Sequence, residues 1–525
     1  MYDVRVMIRK IFFLCSLLLV AVSPLKAQDD PKAAGAAIDT IVRVFSEYEI
    51  VDRFVADIYK KFEKDTKKGP ILAARIAKAY YNYVMVPGNP TPQYHRRDVP
   101  KALEYLNKAI ALDPKYAQSY LVASDIFYNE AKIDTALIWL DKGIAENPTD
   151  SSLYIESAKL LAFSDPDAAV QKLMVLKERD STFQVDLQLG RLYYKLYSDH
   201  GKLPMKELAE SYGRVYDSKD RELLNLGDLG ALSLGLQWAG DLGEERFNKL
   251  YEVTSYGVSL YPKDFGMRKF LLVGCMNTKK YDEGIKTAEF MFAMPDSVRK
   301  VDADDYLYYA TCLAGAKRYE DAIAQYERVL AMDDVSENKK YQADRAIVST
   351  ITTQVTELRQ LGDYDKAIAT IEPVVQRYRD KGTQNDNLMI AYATIYTDWA
   401  AELNGLERMD AIRNAVKVFN EAAEHSELNA NMFLHRCCYY SMALDPELKE
   451  GLGMQYAQKL VKNLDGKADI EAGEKRYLLL GYEYMMRHEY FIKKNKKAAI
   501  SWADKMLDVD PTNELALRFI TALGG

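Results

Sequence analysis

Residues 102–148 read ALEYLNKAIALDPKYAQSYLVASDIFYNEAKIDTALIWLDKGIAENP. They contain one pattern twice, namely a small residue, a leucine, a second small residue and a proline. The pattern falls first on Ala102, Leu106, Ala109 and Pro114, and then, with the same internal spacing, on Ala136, Leu140, Gly143 and Pro148. Self-similarity at a fixed period of this length predicts an architecture built from repeated units.

The chemistry of the pattern indicates what each unit is. Small residues at helical spacing let two antiparallel helices approach closely, while large residues fill the space between one pair and the next. Proline lies just after the second helix, where its missing N–H costs least. Because one helix pair cannot bury its own apolar face, the pairs must stack. The sequence therefore predicts an all-α solenoid.

The same marks recur along much of the chain, with units near 279–295, 303–336, 361–374 and 475–511 and a weaker one at 415–422. The residues that carry them are Tyr281 and Gly284; Tyr306, Tyr309, Ala310, Ala322, Tyr326 and Val329; Gly362, Ala367, Ile371 and Val374; Ala415, Phe419 and Ala422; and Tyr477, Leu480, Gly481, Tyr484, Ala499, Ala503, Met506 and Pro511.

This arrangement resembles the tetratricopeptide repeat family, whose units place a large residue, Leu-Gly, an aromatic residue, alanines and a proline at set offsets. The resemblance implies an all-α, right-handed superhelical solenoid of antiparallel helix pairs. We expect N-terminal capping helices at 36–68, well-matched pairs at 70–148 and 263–380, divergent pairs at 149–262 and 385–465, and a last pair with a closing helix at 470–525.

Residues 1–27 have the features of a secretory signal peptide. Arg9 and Lys10 form a basic start, residues 11–22 an apolar core, and Ala27 a small residue at the cleavage site. The apolar core is too short to span a bilayer. Cys15 lies inside that core, a poor position for lipidation, so a soluble periplasmic protein is favoured over a lipoprotein, with association at the outer membrane left open. Met1 and Met7 both remain candidate start sites.

The charge balance argues against nucleic acid as a partner. The chain has a net charge of −7, and without residues 1–27 it keeps 66 Lys and Arg against 76 Asp and Glu, a net charge of −10. Such a surface repels phosphate backbones unless a strong local basic patch is present. No segment after the signal has 18 consecutive apolar residues, so no membrane span is expected in the mature chain.

Patterns for catalysis and metal binding are missing from the sequence. The five histidines do not pair at i, i+4, and there is no P-loop, GxGxxG or GxSxG motif. The four cysteines after the signal form no CxxC, and we expect them to be small buried side chains; they are Cys275, Cys312, Cys437 and Cys438. We therefore predict no cofactor, no metal and no enzymatic activity.

Binding positions follow from the resemblance. In tetratricopeptide proteins the first helix of each pair lines a concave groove, and transferring the groove positions unit by unit implies a protein-binding groove formed by Lys78, Tyr81, Asn82, Gln118, Leu121, Asp125, Tyr128, Asn129, Asp304, Leu307, Thr311, Lys475, Tyr482, Met485 and Met486. Aromatic, aliphatic and short polar groups together suit an extended or helical peptide. Ala74 and Lys78 stand where members that clamp a chaperone's terminal carboxylate need Lys and Asn, so that activity is not expected.

Three insertions interrupt the helix pairs, and the one at residues 198–206 is short and uninformative. Residues 85–100 contain four prolines and a basic aromatic centre, Tyr94, Arg96 and Arg97, which would suit a docking loop or a plain surface loop. Residues 488–497 contain four lysines and are the most basic stretch of the chain. They suit a solvated helix start, or contact with an acidic partner or lipid headgroups.

The leading functional hypothesis is a non-catalytic periplasmic scaffold in a Gram-negative bacterium, binding protein components of an envelope assembly, secretion or uptake machine. The alternative is a glycan-binding helical-repeat protein resembling the outer-membrane starch-binding family, although the chain lacks a lipobox cysteine near Ala27 and has few tryptophans. A catalytic or metal-binding protein is the third option. The sequence does not indicate the oligomeric state.

Overall fold

The computed structural model describes residues 30–523 except 45–47, 86, 88–90, 180–182, 201–203, 296, 299–300 and 468. The expected signal peptide at 1–27 lies outside the described residues. The chain divides into two compact units, residues 1–270 and 271–525, and each is treated by itself below.

In the residues described, the regular structure of the first unit is helical except for one short hairpin. Two helices, α1 (Pro31–Val44) and α2 (Tyr48–Tyr59), precede the helix pairs. The pairs are α3 (Gly69–Tyr80) with α4 (Val99–Leu112), α5 (Ala117–Asn129) with α6 (Ile133–Glu146), α7 (Ser151–Ser164) with α8 (Pro166–Arg179), α9 (Phe183–His200) with α10 (Met205–Tyr216), and α11 (Leu226–Trp238) with α12 (Arg246–Leu260). Helix α13 (Phe265–Asn277) crosses the division and is followed by α14 (Tyr281–Phe292).

The second unit continues with longer and less regular pairs. They are α15 (Ala303–Gly315) with α16 (Tyr319–Leu330), α17 (Glu337–Gln360) with α18 (Tyr364–Asp380), α19 (Asp386–Glu402) with α20 (Gly405–His425), α21 (Ala430–Leu444) with α22 (Met454–Leu464), and α23 (Ala472–Phe491) with α24 (Lys496–Val509). A single helix, α25 (Glu514–Ala522), closes the described chain.

Packing in the first unit follows one rule. The two helices of a pair pack on each other, and the first helix of a pair also contacts the first helix of the next, as α3 does α5, α5 does α7 and α7 does α9. First helices therefore line one common face. This is the all-α, tetratricopeptide-like repeat fold that the sequence predicted, while its right-handed winding stays a prediction.

The residues that define the repeat lie where the helices meet. The small residues Ala102, Ala109 and Ala136 and the neighbouring Leu140 are completely buried. Two tyrosines at equivalent positions of successive repeats, Tyr120 and Tyr154, add a contact that the pattern did not reveal. Each donates its hydroxyl hydrogen to the carbonyl of the proline that ends the preceding repeat, Tyr120 to Pro114 at 2.9 Å and Tyr154 to Pro148 at 3.2 Å. The repeated proline turn is thereby fixed to the next pair.

Gly143 offers a direct test of this close packing. A Cβ atom there would lie 2.8 Å from the ring and 2.9 Å from the Cβ of Tyr120, whereas a Cβ at Gly213 of α10 meets nothing within 4 Å. Alanine gains about 1 kcal/mol over glycine in a helix interior, but overpacking a core costs about 1–3 kcal/mol. We expect Gly143→Ala to lower, and Gly213→Ala to raise, the midpoint of thermal unfolding followed by circular dichroism. Equal shifts would contradict the assigned role of Gly143.

A β-hairpin lies within the first helix pair, where the sequence predicted an inserted loop. Strand β1 (Tyr81–Val84) pairs antiparallel with β2 (Gln93–Arg97), in the register Tyr81 to Arg97 and Val84 to Gln93. The 70–148 region was expected to be helix pairs joined by an irregular loop. Tyr81, Asn82 and Tyr83 alternate between aromatic and polar residues. This alternation suits a strand, because successive side chains of a strand point to opposite faces.

Among the residues that the structure describes, no helix is long and apolar enough to cross a membrane.

Candidate functional site

A groove lies on the common face of the first helices, next to the hairpin. Two adjoining cavities of about 550 and 950 Å³ make it up. Both are lined by Tyr83, Met85, Leu121 and Asp125, so we treat them as one surface and call it the hairpin groove. Its walls come from α3, α5 and α7, from the hairpin, and from Lys195 of α9.

Eight of the groove positions carried over from the family resemblance meet here. They are Lys78, Tyr81, Asn82, Gln118, Leu121, Asp125, Tyr128 and Asn129. Lys78 and Gln118 are exposed at the rim, while Tyr128 is 51% exposed although it is a large aromatic residue. Leu121 and Leu160 provide half-buried aliphatic surface from neighbouring first helices.

The polar positions at the C-terminal end of α5 are occupied by the chain's own hairpin. The Tyr83 hydroxyl donates to Asp125 Oδ1 at 2.9 Å and accepts from Asn129 Nδ2 at 3.2 Å. Asn129 also donates to the Asp125 carbonyl at 2.8 Å. Burial raises the pKa of Tyr83 to about 12, so its hydroxyl stays protonated and can donate. Asp125 and Asn129 thus face the groove but hold the hairpin in place.

Glu130 anchors the other side of the hairpin. Arg97 binds it in a bidentate manner, with Nε 2.6 Å from Oε1 and Nη2 2.7 Å from Oε2. The buried Tyr81 hydroxyl donates to the same carboxylate at 2.8 Å and lies 3.1 Å from the Tyr94 hydroxyl. Arg97 above all, through its hydrogen bonds, holds the pKa of Glu130 below its usual range. Bidentate arginine–carboxylate pairs fix geometry as well as contributing energy.

The residues expected at the centre of a docking loop lie in a strand. Tyr94, Arg96 and Arg97 lie in β2 and hold the hairpin instead of forming a free tip. Arg96 is buried, with its guanidinium carbon 4.8 Å from the centre of the Tyr80 ring and Nη2 3.8 Å from Asp52 Oδ1. Tyr81, expected in the groove, lines the first cavity but is almost completely buried.

Several groove residues escaped prediction from the sequence. Met85 and Pro92 stand on the hairpin side, and Ile133 at the start of α6. Glu156 and Lys159 of α7 face the second cavity and form an ion pair of 3.0 Å. Lys159 follows Asp125 by one full repeat. Extending the repeat period into the divergent region, residues 149–262, would therefore have predicted Lys159 as a groove residue. The hairpin residues follow no repeat position.

The groove has an amphipathic lining that suits peptide binding. Exposed or half-buried apolar groups, namely Tyr128, Met85 and Leu121, lie beside the exposed amines of Lys78 and Lys159. Aromatic and methionine side chains adapt to the apolar residues of a partner, and lysines at a rim steer acidic groups toward it.

Predicted positions in the second unit lie in different surroundings. Asp304 Oδ2 is 2.7 Å from Lys339 Nζ, which links α15 to α17. The Thr311 hydroxyl donates to the Leu307 carbonyl at 2.8 Å and lies 3.2 Å from the Tyr326 hydroxyl of α16, so it points into its own helix pair. Leu307 is half-buried.

The last helix pair requires two corrections. Lys475 is exposed and Met485 half-buried, but Tyr482 and Met486 are buried and cannot contact a groove ligand. The Tyr482 hydroxyl donates to Asp465 Oδ1 at 2.7 Å, and its ring centre lies 5.7 Å from that of Trp502.

Reactive side chains are buried or separated. The four cysteines are free and buried, and burial raises each thiol pKa to about 12. His435 packs against the Tyr477 ring at 4.9 Å, and burial lowers its pKa to about 4. Cys437 lies close by in sequence but donates to the Val416 carbonyl at 3.7 Å. In the described part of the chain, no three His, Cys, Asp or Glu side chains cluster as metal ligands would.

Comparison with known proteins finds similarity only among solved structures. No family model and no curated protein matches the chain. The C-terminal part of a TPR repeat-containing protein from Cytophaga hutchinsonii is similar at 19% identity and a TM-score of 0.33, covering 53% of this chain and 99% of that one.

A tetratricopeptide repeat protein from Parabacteroides merdae is similar at 13% identity and a TM-score of 0.25, covering 48% of this chain and 91% of that one. A structure of Naa15/Naa10 bound to HypK-THB matches at 13% identity and a TM-score of 0.27, over 93% of this chain and 66% of that one. At such low identities and TM-scores, none of these similarities bears on partners or activity.

Proposed function

We propose that the chain is a non-catalytic scaffold whose hairpin groove binds an extended or helical segment of a partner protein. The observation that carries this proposal is Tyr128, a half-exposed aromatic side chain in a concave surface that also contains Leu121 and Leu160. Aromatic residues in concave, partly apolar surroundings contribute strongly to protein interfaces. Because successive first helices share this face, one partner segment can contact several repeats.

The polar groups of the groove favour a segment with apolar anchors and acidic flanks. The charged residues of the lining are three lysines against two carboxylates, which makes it net positive; they are Lys78, Lys159, Lys195, Asp125 and Glu156. Lys78 is exposed and lines the first cavity. Charge complementarity of this kind gives orientation and on-rate more than affinity.

The cellular setting is part of the proposal. The signal-like residues 1–27 support export, and a periplasmic scaffold would serve an envelope assembly, secretion or uptake machine. N-terminal sequencing of the protein purified from its own cells would then start at Gln28. An N-terminus at Met1 or Met7 would contradict export through this signal.

Site-specific photocrosslinking tests the groove. Tyr128 and Ile138 belong to the same helix pair and are 51% and 53% exposed, but only Tyr128 lines the groove. We expect a photoreactive phenylalanine at position 128 to give discrete adducts with a protein partner in living cells, and the same residue at position 138 to give none. Tyr128→Ala should weaken binding of the crosslinked partner about tenfold, as expected for one interface aromatic.

The control residue decides the interpretation. Equal crosslinking at 128 and 138 would contradict a groove-specific partner. Saturable binding of an oligosaccharide that Tyr128→Ala abolishes, without protein adducts, would replace the scaffold by the glycan-binding alternative.

A further inference from the structure

The turn between α23 and α24 presents an unusual surface. Residues 491–497, with the sequence FIKKNKK, are all exposed, and we call them the lysine loop. Phe491 is 53% and Ile492 38% exposed, although both are large apolar residues. An aromatic and an aliphatic side chain therefore stand in solvent directly beside four lysines.

The backbone of the lysine loop is held in a defined conformation. Lys494 adopts a left-handed conformation with φ of 55°. The Asn495 N–H donates to the Glu489 carbonyl at 2.9 Å, and the Asn495 side chain accepts from the Ala498 N–H at 3.1 Å, capping α24. The apolar pair and the lysines are thus presented together, so binding would not have to order the turn first.

Helix stability does not explain the lysines. Lys496 and Lys497 are the first residues of α24, where the positive end of the helix dipole disfavours cations. Lys493 is paired with Glu489 at 2.8 Å, whereas Lys494, Lys496 and Lys497 have no acidic partner among the described residues. The positive charge is therefore available to a ligand, in a chain whose net charge is −7.

We propose that the lysine loop docks the protein on the surface of an anionic phospholipid bilayer. Phe491 and Ile492 would enter the boundary between headgroups and acyl chains, and the lysines would contact phosphate groups above them. An exposed apolar pair directly beside closely spaced cations suits a deformable, anionic surface that both can contact at once. The contact would be peripheral. It is independent of the hairpin groove, which lies in the other unit.

Vesicle flotation of the full mature chain tests the proposal. We expect binding to vesicles of phosphatidylcholine with 30% phosphatidylglycerol, and much less to phosphatidylcholine alone, at about 0.1 M salt. Each lysine near an anionic surface contributes about fivefold in affinity, so the triple variant Lys494→Asn, Lys496→Gln, Lys497→Gln should lose about a hundredfold. Asparagine is chosen at 494 because it tolerates the left-handed conformation. Phe491→Ser should weaken binding about tenfold.

Matched variants separate this surface from general charge and hydrophobicity. Lys366→Gln, Lys381→Gln and Lys417→Gln together remove the same charge from exposed positions of the same unit, and Leu361→Ser removes an apolar side chain that is 80% exposed. Both controls should bind vesicles as the unchanged protein does. Equal losses in control and loop variants would overturn the proposal. So would binding to an acidic polypeptide, polyglutamate, but not to the anionic vesicles.

Discussion

Replacement of Asp228 by alanine is expected to lower the free energy of unfolding of the first unit by about 3 kcal/mol. The Asp228 carboxylate is almost completely buried and accepts hydrogen bonds from Arg191 Nε at 3.1 Å and Nη2 at 2.9 Å. It also accepts from the Tyr212 hydroxyl at 3.0 Å and from the Asn225 N–H at 3.2 Å. One side chain thereby joins α9, α10 and the start of α11.

The size of this effect follows from the groups left behind. The Tyr212 hydroxyl is buried and would lose its acceptor, at a cost of about 1–3 kcal/mol. The Asn225 N–H also loses its acceptor, which adds about 1 kcal/mol, while the Asn225 side chain still caps the helix through the N–H of residue 228. Arg191 is 43% exposed, so water compensates much of its lost ion pair. These contributions together make about 3 kcal/mol a reasonable expectation.

Hydrogen exchange of α10 and α11, together with the thermal unfolding midpoint, measures the change. Asp217→Ala is the matched control, because Asp217 pairs with Lys249 at the surface of the same unit and its side chain is 59% exposed. It should cost less than about 1 kcal/mol. Asp228→Asn should recover part of the loss, since it keeps one acceptor for Tyr212. Equal shifts of the midpoint in Asp228→Ala and Asp217→Ala would contradict the expected contribution of Asp228 to stability.

The sequence was most informative where packing repeats. Ala102, Ala109, Ala136 and Gly143 are small because two helices meet closely at each of these positions. The same close approach recurs in every well-matched repeat, so the fixed period predicts both the helix pairs and their contacts. Asp228 could not be found this way. Its partners come from three helices in a region where the pattern is weak, and one buried carboxylate leaves no periodic signal.

The candidate site was predictable in its helical half only. Lys78, Gln118, Leu121 and Tyr128 occupy positions that any stack of such pairs turns to the common face. The hairpin is an insertion, so the repeat pattern gives no information on its structure. The four prolines of residues 85–100 indicated a loop instead of strands. The wrong groove assignments in the last helix pair come from counting positions along the repeat. Tyr482 was assigned to the groove by counting along the unit, but its side chain turns toward Asp465 and Trp502 within the core.

Glu130→Ala is expected to release the hairpin from α5 without unfolding the repeats. The variant removes both hydrogen bonds from Arg97 and the acceptor of the buried Tyr81 hydroxyl. Losing hydrogen bonds to a charged group costs about 1.5–3 kcal/mol, which corresponds to about a ten- to hundredfold faster exchange of the hairpin amides. Exchange in α5 and α6 should change little. Because Met85 and Pro92 line the groove, affinity for a groove ligand should fall with hairpin protection.

The pH dependence of hairpin exchange distinguishes this anchor from general loosening. The native pKa of Glu130 is lowered, first by the hydrogen bonds from Arg97, so its contribution is complete above the unfolded pKa of about 4.3 and is lost as the pH falls through the native pKa. Hairpin protection, corrected for intrinsic exchange, should therefore be constant from about pH 7 to 5 and decrease in more acidic solution. Glu130→Ala should already be unprotected at neutral pH. Glu104→Ala, which breaks only surface pairs with Lys101 and Lys108, should behave like the unchanged protein. A hairpin that stays protected in Glu130→Ala would show that Tyr83, Asp125 and Asn129 suffice to hold it.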